Sequence, residues 1–209
     1  MSSELENTAA EAKQIKRNRV MGIVVLSAVF LPMLIAYLLF KTEFAIPTNT
    51  VNKGQLMQPP QEIVNLPLYN EAGDSISLLD GEKRWRILIP GESICDSQCE
   101  KTLYLTRQVH TRLGNKAGRV ERYYLNTDKA FSSASIELFK TEYPQLNTVY
   151  MNADDFKGLL ADSNITDNFY QRYFLMDQEG FIMMSYLPSN TGNEFLKDIK
   201  RLLKYSYED

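Results

Sequence analysis

Histidine and cysteine are both scarce in this sequence, which holds one histidine, His110, and two cysteines, Cys95 and Cys99, among 209 residues. A single imidazole builds neither a zinc-ligand cluster nor the serine–histidine pair of a hydrolase triad, and no serine stands with it in such a motif. No glycine-rich loop of the phosphate-cradling kind is present. Positive charge is not in excess either: 23 Lys and Arg face 26 Asp and Glu, a formal net charge of -3. That balance argues against a nucleic-acid binder, which needs a basic surface. Internal repeats and low-complexity tracts are absent. With 44% hydrophobic and 23% charged residues, the composition is that of a globular protein, and the length suits one ordinary domain plus an anchor better than two domains.

What the chain does have is an uncharged run of twenty-one residues, Val20 to Phe40. As a helix rising about 1.5 Å per residue, it would span the roughly 30 Å hydrocarbon core of a bilayer. A cleaved signal peptide usually has an apolar core of about 7–15 residues and a small-residue cleavage site. This run is longer and continues into Lys-Thr-Glu-Phe-Ala-Ile-Pro, so a retained anchor is expected. Pro32 lies inside it and removes one backbone donor, a loss that membrane helices tolerate. Lys13, Lys16, Arg17 and Arg19 precede the run and only Lys41 follows closely. Because positive flanks stay cytoplasmic, the N-terminus is expected inside and the remainder outside. Removing those five cations, and Glu4, Glu6 and Glu11, from the totals of 23 and 26 leaves 18 against 23. The exported part is therefore mildly acidic and not suited to lying on anionic lipid.

The expected organisation is a cytoplasmic tail over 1–19, a transmembrane helix over 20–40, a periplasmic linker over 41–61 and a folded domain over 62–209. The tail is polar and expected to lack structure over residues 1–12; the linker, with three prolines and Gly54, reads as an extended tether. Within the domain, apolar patterning gives strands at 63–69 and 75–79 around a turn at Asn70 to Asp74, then a central strand Trp85 to Ile89. Leu103, Leu105, Val109 and Leu113 share a helix face that Gly114 ends. A strand over 120–126, a helix over 132–143 stopped by Pro144, a strand over 148–151 and a helix over 154–160 follow. Tyr173 to Tyr186 reads as a hairpin turning at Asp177 to Gly180, and 193–204 as a closing amphipathic helix. This is an α/β pattern, a mixed central sheet flanked by helices, with one N-terminal transmembrane helix.

Cys95 and Cys99 fall where a strand gives way to a helix, the place where α/β sheets usually carry their sites. Outside the membrane the surroundings are oxidising, so the pair can form a disulfide. If both lie in the first helical turns, their Cβ atoms are about 5–6 Å apart and some unwinding is needed to bridge them. A helix N-terminus stabilises a thiolate, which favours Cys95 as nucleophile or metal ligand. A purely structural disulfide is the alternative, although so short a loop gains little from closure.

Cys-x-x-x-Cys at a strand-to-helix turn of a tethered α/β domain resembles the Sco family, thioredoxin-like proteins that assist copper-site assembly in cytochrome c oxidase. That resemblance runs from about residue 60 to the end and includes Tyr-Phe-Leu-Met-Asp-Gln-Glu-Gly of the hairpin. Over nearly the whole chain the sequence is also similar to a single-span protein encoded among cytochrome oxidase assembly genes in many Gammaproteobacteria. The matching stretches are Ala28-Val-Phe-Leu-Pro, Trp85-Arg-Ile-Leu, Cys95 to Cys99 with Glu100, Leu103 to Val109, Arg119-Val-Glu-Arg122 and Leu196 to Leu203. The resemblance implies a thioredoxin-like periplasmic domain anchored to a bacterial cytoplasmic membrane. It further implies action on the oxidase's copper-binding subunit or on a copper chaperone.

Sco proteins bind copper through the two cysteines and a histidine in the loop before the hairpin. Here that loop reads Ile165-Thr-Asp-Asn168-Phe, with Asn168 nearest to the histidine's place, and an amide is a poor copper ligand. His110 lies eleven residues after Cys99, about 16 Å along a continuous helix, and is expected on the helix surface. Thioredoxins carry a cis-proline in this loop; this sequence has none there. Met57, Met151, Met176, Met183 and Met184 are expected mostly as core residues. Asp154 and Asp155 read as a helix-start cap, and Arg107, Arg112, Lys116, Arg119 and Arg122 as a solvated face. The expected chemistry is thiol–disulfide exchange, with Cys95 and Cys99 as the catalytic pair and no organic cofactor. Two alternatives stay open: a Cu(I) chaperone whose only protein ligands are Cys95 and Cys99, and a non-catalytic binding module shaped by a disulfide.

Overall fold

A computed structural model describes residues 2–42, 51–128 and 130–206, which form two compact units, one ending at Thr50 and one beginning at Val51. The first contains helix α1, Ser2–Thr42, whose stretch Lys16–Leu39 is long and apolar enough to cross a membrane. The polar N-terminal residues, expected to lack structure, continue this helix from Ser2. They include Glu4, Glu6, Glu11, Ala9, Ala10 and Ala12, all strong helix formers. Pro32 is accommodated inside the helix, and Ser27 donates its hydroxyl to the Val24 carbonyl at 2.9 Å. Residues 43–50 of the expected linker lie outside the described residues.

The second unit is built on an eight-stranded sheet. Its strands are β1 (Gln55–Glu62), β2 (Leu68–Tyr69), β3 (Ser75–Ile76), β4 (Trp85–Gly91), β5 (Val120–Asn126), β6 (Leu146–Met151), β7 (Tyr173–Met176) and β8 (Phe181–Tyr186). They lie in the order β1-β8-β7-β4-β5-β6-β2-β3. β4, β5 and β6 run parallel; β7 joins β4 antiparallel, so the sheet is mixed and β4 is central. Every residue of β4 is buried, as expected of a strand covered on both faces. The crossovers are α2 (Ser97–Thr111) between β4 and β5 and α3 (Ser133–Glu142) between β5 and β6; α4 (Ala153–Leu160) and α5 (Gly192–Tyr205) follow β6 and β8.

Alternation along β4 divides the core. Ile87 and Ile89 join Leu103 and Val109 of α2, Phe139 of α3, and Phe195 and Ile199 of α5. Leu88 faces the opposite way, into a cluster with Leu125, Phe156 of α4, Phe174 and Ile182. Met57, Met151, Met176 and Met184 are buried core residues, while Met183 is half-buried. The hairpin turn is organised by Asp177, which accepts from the amides of Glu179 and Phe181, and by Gly180 at φ 99°. α5 opens with a reciprocal capping box between Thr191 and Glu194.

Two expectations need correction. Residues 55–61, read as tether, belong to edge strand β1 on β8, and the strand expected over 63–69 is a single 3-10 turn, Ile63–Asn65, followed by the two residues of β2. The prolines suggested an unpaired chain, but an edge strand needs only one line of donors, and pairing is interrupted between Leu56 and Gln61, where Pro59 and Pro60 sit. Asp198 of α5 fixes the start of this segment, its Oδ2 accepting from the amides of Lys53 at 2.8 Å and Gly54 at 2.9 Å. Gly54 is required there, because a Cβ would lie 2.5 Å from the Tyr186 ring.

Candidate functional site

The site begins where β4 runs out. Pro90 and Gly91 end the strand, Glu92, Ser93 and Ile94 form the loop, and Cys95 is disulfide-bonded to Cys99 with Cα atoms 5.2 Å apart. That separation is within the range a disulfide accepts. The two cysteines do not share a helical turn, as the spacing alone suggested. Asp96 is the N-cap of α2, accepting from the amides of Gln98 at 3.1 Å and Cys99 at 2.8 Å. Cys95 therefore precedes the helix, and its backbone is free to close the bridge without unwinding α2.

The loop is tied down from a distance. The Ser93 amide donates to Asp128 Oδ2 at 2.7 Å, and the Cys95 amide to Ser135 Oγ at 3.1 Å. Ser135 passes its own proton to the Ser93 carbonyl at 2.9 Å and accepts one from Ser132, the N-cap of α3. Tyr124 on β5 lies beneath the disulfide, with its hydroxyl oxygen 3.8 Å from Cys99 Sγ and its proton given to the Glu92 carbonyl at 2.7 Å. Burial raises the Tyr124 hydroxyl's pKa well above the ordinary tyrosine value, with the nearby carboxylates of Asp96, Glu92 and Asp128 acting in the same direction. It remains a neutral donor. None of Tyr124, Asp128, Ser132 or Ser135 was visible as a site residue in the sequence, because all four come from β5, the loop after it and the start of α3, far along the chain from the cysteine turn.

A cavity of about 270 Å³ opens beside Cys99, lined by Ile94, Gln98, Thr102, Tyr124, Asn168 and Tyr170 among others. Asn168 is thus on the cysteine side, as the loop's position predicts. Its carboxamide oxygen is already committed to the Tyr170 amide at 3.0 Å, capping the 3-10 turn Phe169–Gln171. Arg172, only 7% exposed, holds this loop by a bidentate pair with Asp167, 2.7 Å on both arms, and by Gln55 Oε1 and Ser185 Oγ. The Arg172 hydrogen bond keeps the Asp167 carboxyl below its ordinary value. Ile94, next to Cys95, is 69% exposed. A larger cleft of about 470 Å³, lined by Tyr69, Glu71, Asp128 and Tyr150, contains neither cysteine.

His110 is away from this cavity and turned into the fold: its Nε2 lies 3.0 Å from the Ala117 carbonyl and 2.8 Å from that of Val120, joining the end of α2 to β5. Three of the basic residues expected on one solvated face are instead separate clamps. Arg107 donates to the Glu142 carbonyl, Arg112 to Asn193, and Arg119 to the Leu203 carbonyl. Arg122 is buried under α2, where desolvation, followed by repulsion from Arg107, brings its pKa down to about 10. At the start of α4 the cap is Asn152, and Asp154 and Asp155 occupy the first turn.

Copper was a sequence-based expectation for Cys95 and Cys99, and the donors around them do not make a complete site. The two sulfurs are bonded to each other, and the third position offers a carboxamide already engaged with backbone. Among the described residues, no group of three or more His, Cys, Asp or Glu side chains is placed to hold a metal ion. A Cys₂His centre of the kind copper favours is not assembled from these residues.

The model of a transmembrane-like, thioredoxin-like C-terminal domain matches residues 85–206. Among solved structures, yeast Sco1 with copper bound superposes at a TM-score of 0.54, with 16% identity over 76% of this chain and 97% of that one. BsSco, described as a member of the Sco family of cytochrome c oxidase assembly proteins in which a disulfide switch was identified, gives 0.53, with 13% identity over 75% and 99%. Arabidopsis thaliana ScoI with copper bound gives 0.52, with 15% identity over 73% and 99%. At these identities the likeness is one of fold. No match was found among curated proteins.

Proposed function

The chain belongs to the transmembrane-like, thioredoxin-like family, and from that premise we propose that it is a membrane-anchored thiol–disulfide factor in the assembly of a cytochrome c oxidase copper site. The observation that carries the reading is the Cys95–Cys99 disulfide itself, set at the C-terminal end of the central strand and opening on a polar cavity beside the exposed Ile94. A disulfide that served only to staple the fold would do little here, since it closes a loop already fixed by Asp96, Ser135 and Asp128. The likeness in fold to the Sco structures supports the choice of pathway. The substrate is a cysteine pair on the oxidase's copper-binding subunit or on its copper chaperone.

In the proposed reaction a thiolate attacks one sulfur of a disulfide, a mixed disulfide forms, and the second cysteine resolves it. Cys95, outside the helix and beside Ile94, takes the partner's sulfur; Cys99, against Tyr124, is the leaving and resolving sulfur. α1 is the membrane anchor, with the N-terminus in the cytoplasm and the domain in the periplasm of a bacterium. The chain from residue 51 onward is the working domain. No step is routed through copper, because the ligands found here do not complete its site.

Replacement of Cys95 or Cys99 by serine in the cognate cell tests the proposal. Each variant should accumulate in the membrane at normal levels and lose oxidase activity together with copper in the oxidase. Normal oxidase in both serine variants would reduce the protein to a docking module shaped by its disulfide.

A further inference from the structure

We infer that the Tyr124 hydroxyl is the hydrogen-bond donor that receives the Cys99 sulfur when the disulfide opens, so that a side chain of β5 sets the balance between the bridged and reduced pair. The inference rests on the reading that this disulfide opens and closes in function. In the bridged state neither sulfur carries hydrogen, and the one proton between Cys99 and Tyr124 is the phenol's. It is directed at the Glu92 carbonyl, 2.7 Å away, while the hydroxyl oxygen stands 3.8 Å from Cys99 Sγ. Rotation about the phenol C–O bond moves the proton from one acceptor to the other without moving the ring. Glu92 is an exposed residue, so water can take over at its carbonyl.

The ring's position is built into the fold. A Cβ at residue 91 would lie 2.0 Å from the Tyr124 hydroxyl oxygen and 2.4 Å from the ring carbon that bears it. Only glycine lets the phenol slide under the end of β4 to reach the disulfide. Phe131 and Phe139 hold the ring laterally, at centroid distances of 5.7 and 5.0 Å. Burial and the surrounding carboxylates keep the hydroxyl protonated, so it can only act as donor to an anionic sulfur.

The electron count places the demand on Cys99. A thiolate of a partner dithiol attacks Cys95 Sγ, the bond to Cys99 Sγ breaks, and the bonding pair leaves as a Cys99 thiolate. The partner's second thiolate then attacks its own sulfur in the mixed disulfide and releases Cys95 as a thiolate. The partner departs as a disulfide, two electrons poorer; the protons lost by its thiols reach the two cysteines through water. Cys99 is half-buried when it receives the charge, and a charge-assisted hydrogen bond offsets the lost hydration.

The test compares the full chain in detergent micelles with its Tyr124→Phe variant, each equilibrated in glutathione redox buffers. The phenylalanine keeps the ring and removes only the donor. The equilibrium should shift about tenfold toward the disulfide, equivalent to roughly 30 mV more negative. The reduced form should lose more thermal stability than the bridged form. Phe156→Leu, in the core on the opposite face of the sheet, serves as a packing control, lowering the stability of both forms together while leaving the glutathione equilibrium in place. An unchanged equilibrium in Tyr124→Phe, or equal destabilisation of both forms, overturns the inference. Oxidase assembly is not measured in this experiment, so its failure is separate from failure of the serine variants to impair the oxidase.

Discussion

Asp198 offers the sharpest quantitative test of how the domain holds its N-terminal strand. Its carboxylate is 4% exposed, and one oxygen, Oδ2, accepts from the Lys53 amide, the Gly54 amide and, at 3.2 Å, the Tyr186 hydroxyl. Burial and then the same carboxylate hold Tyr186 protonated, so it too is only a donor here. Asp198→Ala leaves three donors facing a hole. The Gly54 amide and the Tyr186 hydroxyl are buried, and at about 1–3 kcal/mol for each of these two donors left unpaired the loss is roughly 2–6 kcal/mol. Asp198→Asn keeps an oxygen in place but loses charge assistance, worth about half of each bond, so roughly 1–2 kcal/mol is expected. Trp85 is the sole tryptophan, buried on β4, and its emission during urea unfolding of the full chain in micelles reports the difference. Amide exchange over residues 53–62 should quicken in the alanine variant ahead of the rest of the sheet. A cost below about 1 kcal/mol for alanine, or equal costs for alanine and asparagine, would refute the clamp.

The Asp167–Arg172 pair predicts an acid-dependent contribution. The folded carboxyl is depressed, so its stabilisation is present above the unfolded value near 4 and disappears as pH falls through the lower folded value. Asp167 is half exposed, so Asp167→Asn should cost about 1 kcal/mol or less at pH 7, and its urea midpoint should begin to converge with the native one near pH 4 and meet it only below the depressed folded value. Asn168→His places an imidazole in the cavity that Cys99 lines, and should raise the affinity of the reduced protein for copper at least tenfold in competition with a chelator; unchanged affinity would mean that this loop does not approach the sulfurs. A reporter active only in the periplasm, joined after Asp209, should be active, and activity solely from a cytoplasmic reporter would reverse the orientation proposed for α1.

Elements with strong local signals are readable in the sequence. Trp85 to Ile89 reads as a central strand because four of its five residues are apolar and such a stretch is buried on both faces, as it is here, Arg86 included. The hairpin reads from Asp177 and Gly180, whose side chain and positive φ make the turn without outside help. β1 resists such reading for a physical reason. Its partner lies more than a hundred residues away, and its prolines erase the alternation that would reveal an edge strand. What holds it is Asp198 from α5, a contact that no window along the chain contains.

The same division governs the site. Cys95 and Cys99 stand out because a strand-to-helix turn with a cysteine pair is local, and Asp96 between them caps the helix at the position its side chain favours. Their chemical surroundings are not local. Tyr124 arrives from β5, Ser135 from α3 and Asn168 from the loop before β7, and each is placed by parallel pairing across β4, β5 and β6 or by the Arg172 clamp. Gly91 links the two levels: as a residue it looks like an ordinary turn glycine, yet in the fold it is the gap through which the phenol reaches the disulfide. The consequence bears on how such pairs are tuned. Two proteins with the same Cys-x-x-x-Cys turn can differ in chemistry through a strand residue twenty-five positions after the second cysteine, provided the residue at the end of the first strand leaves room for it.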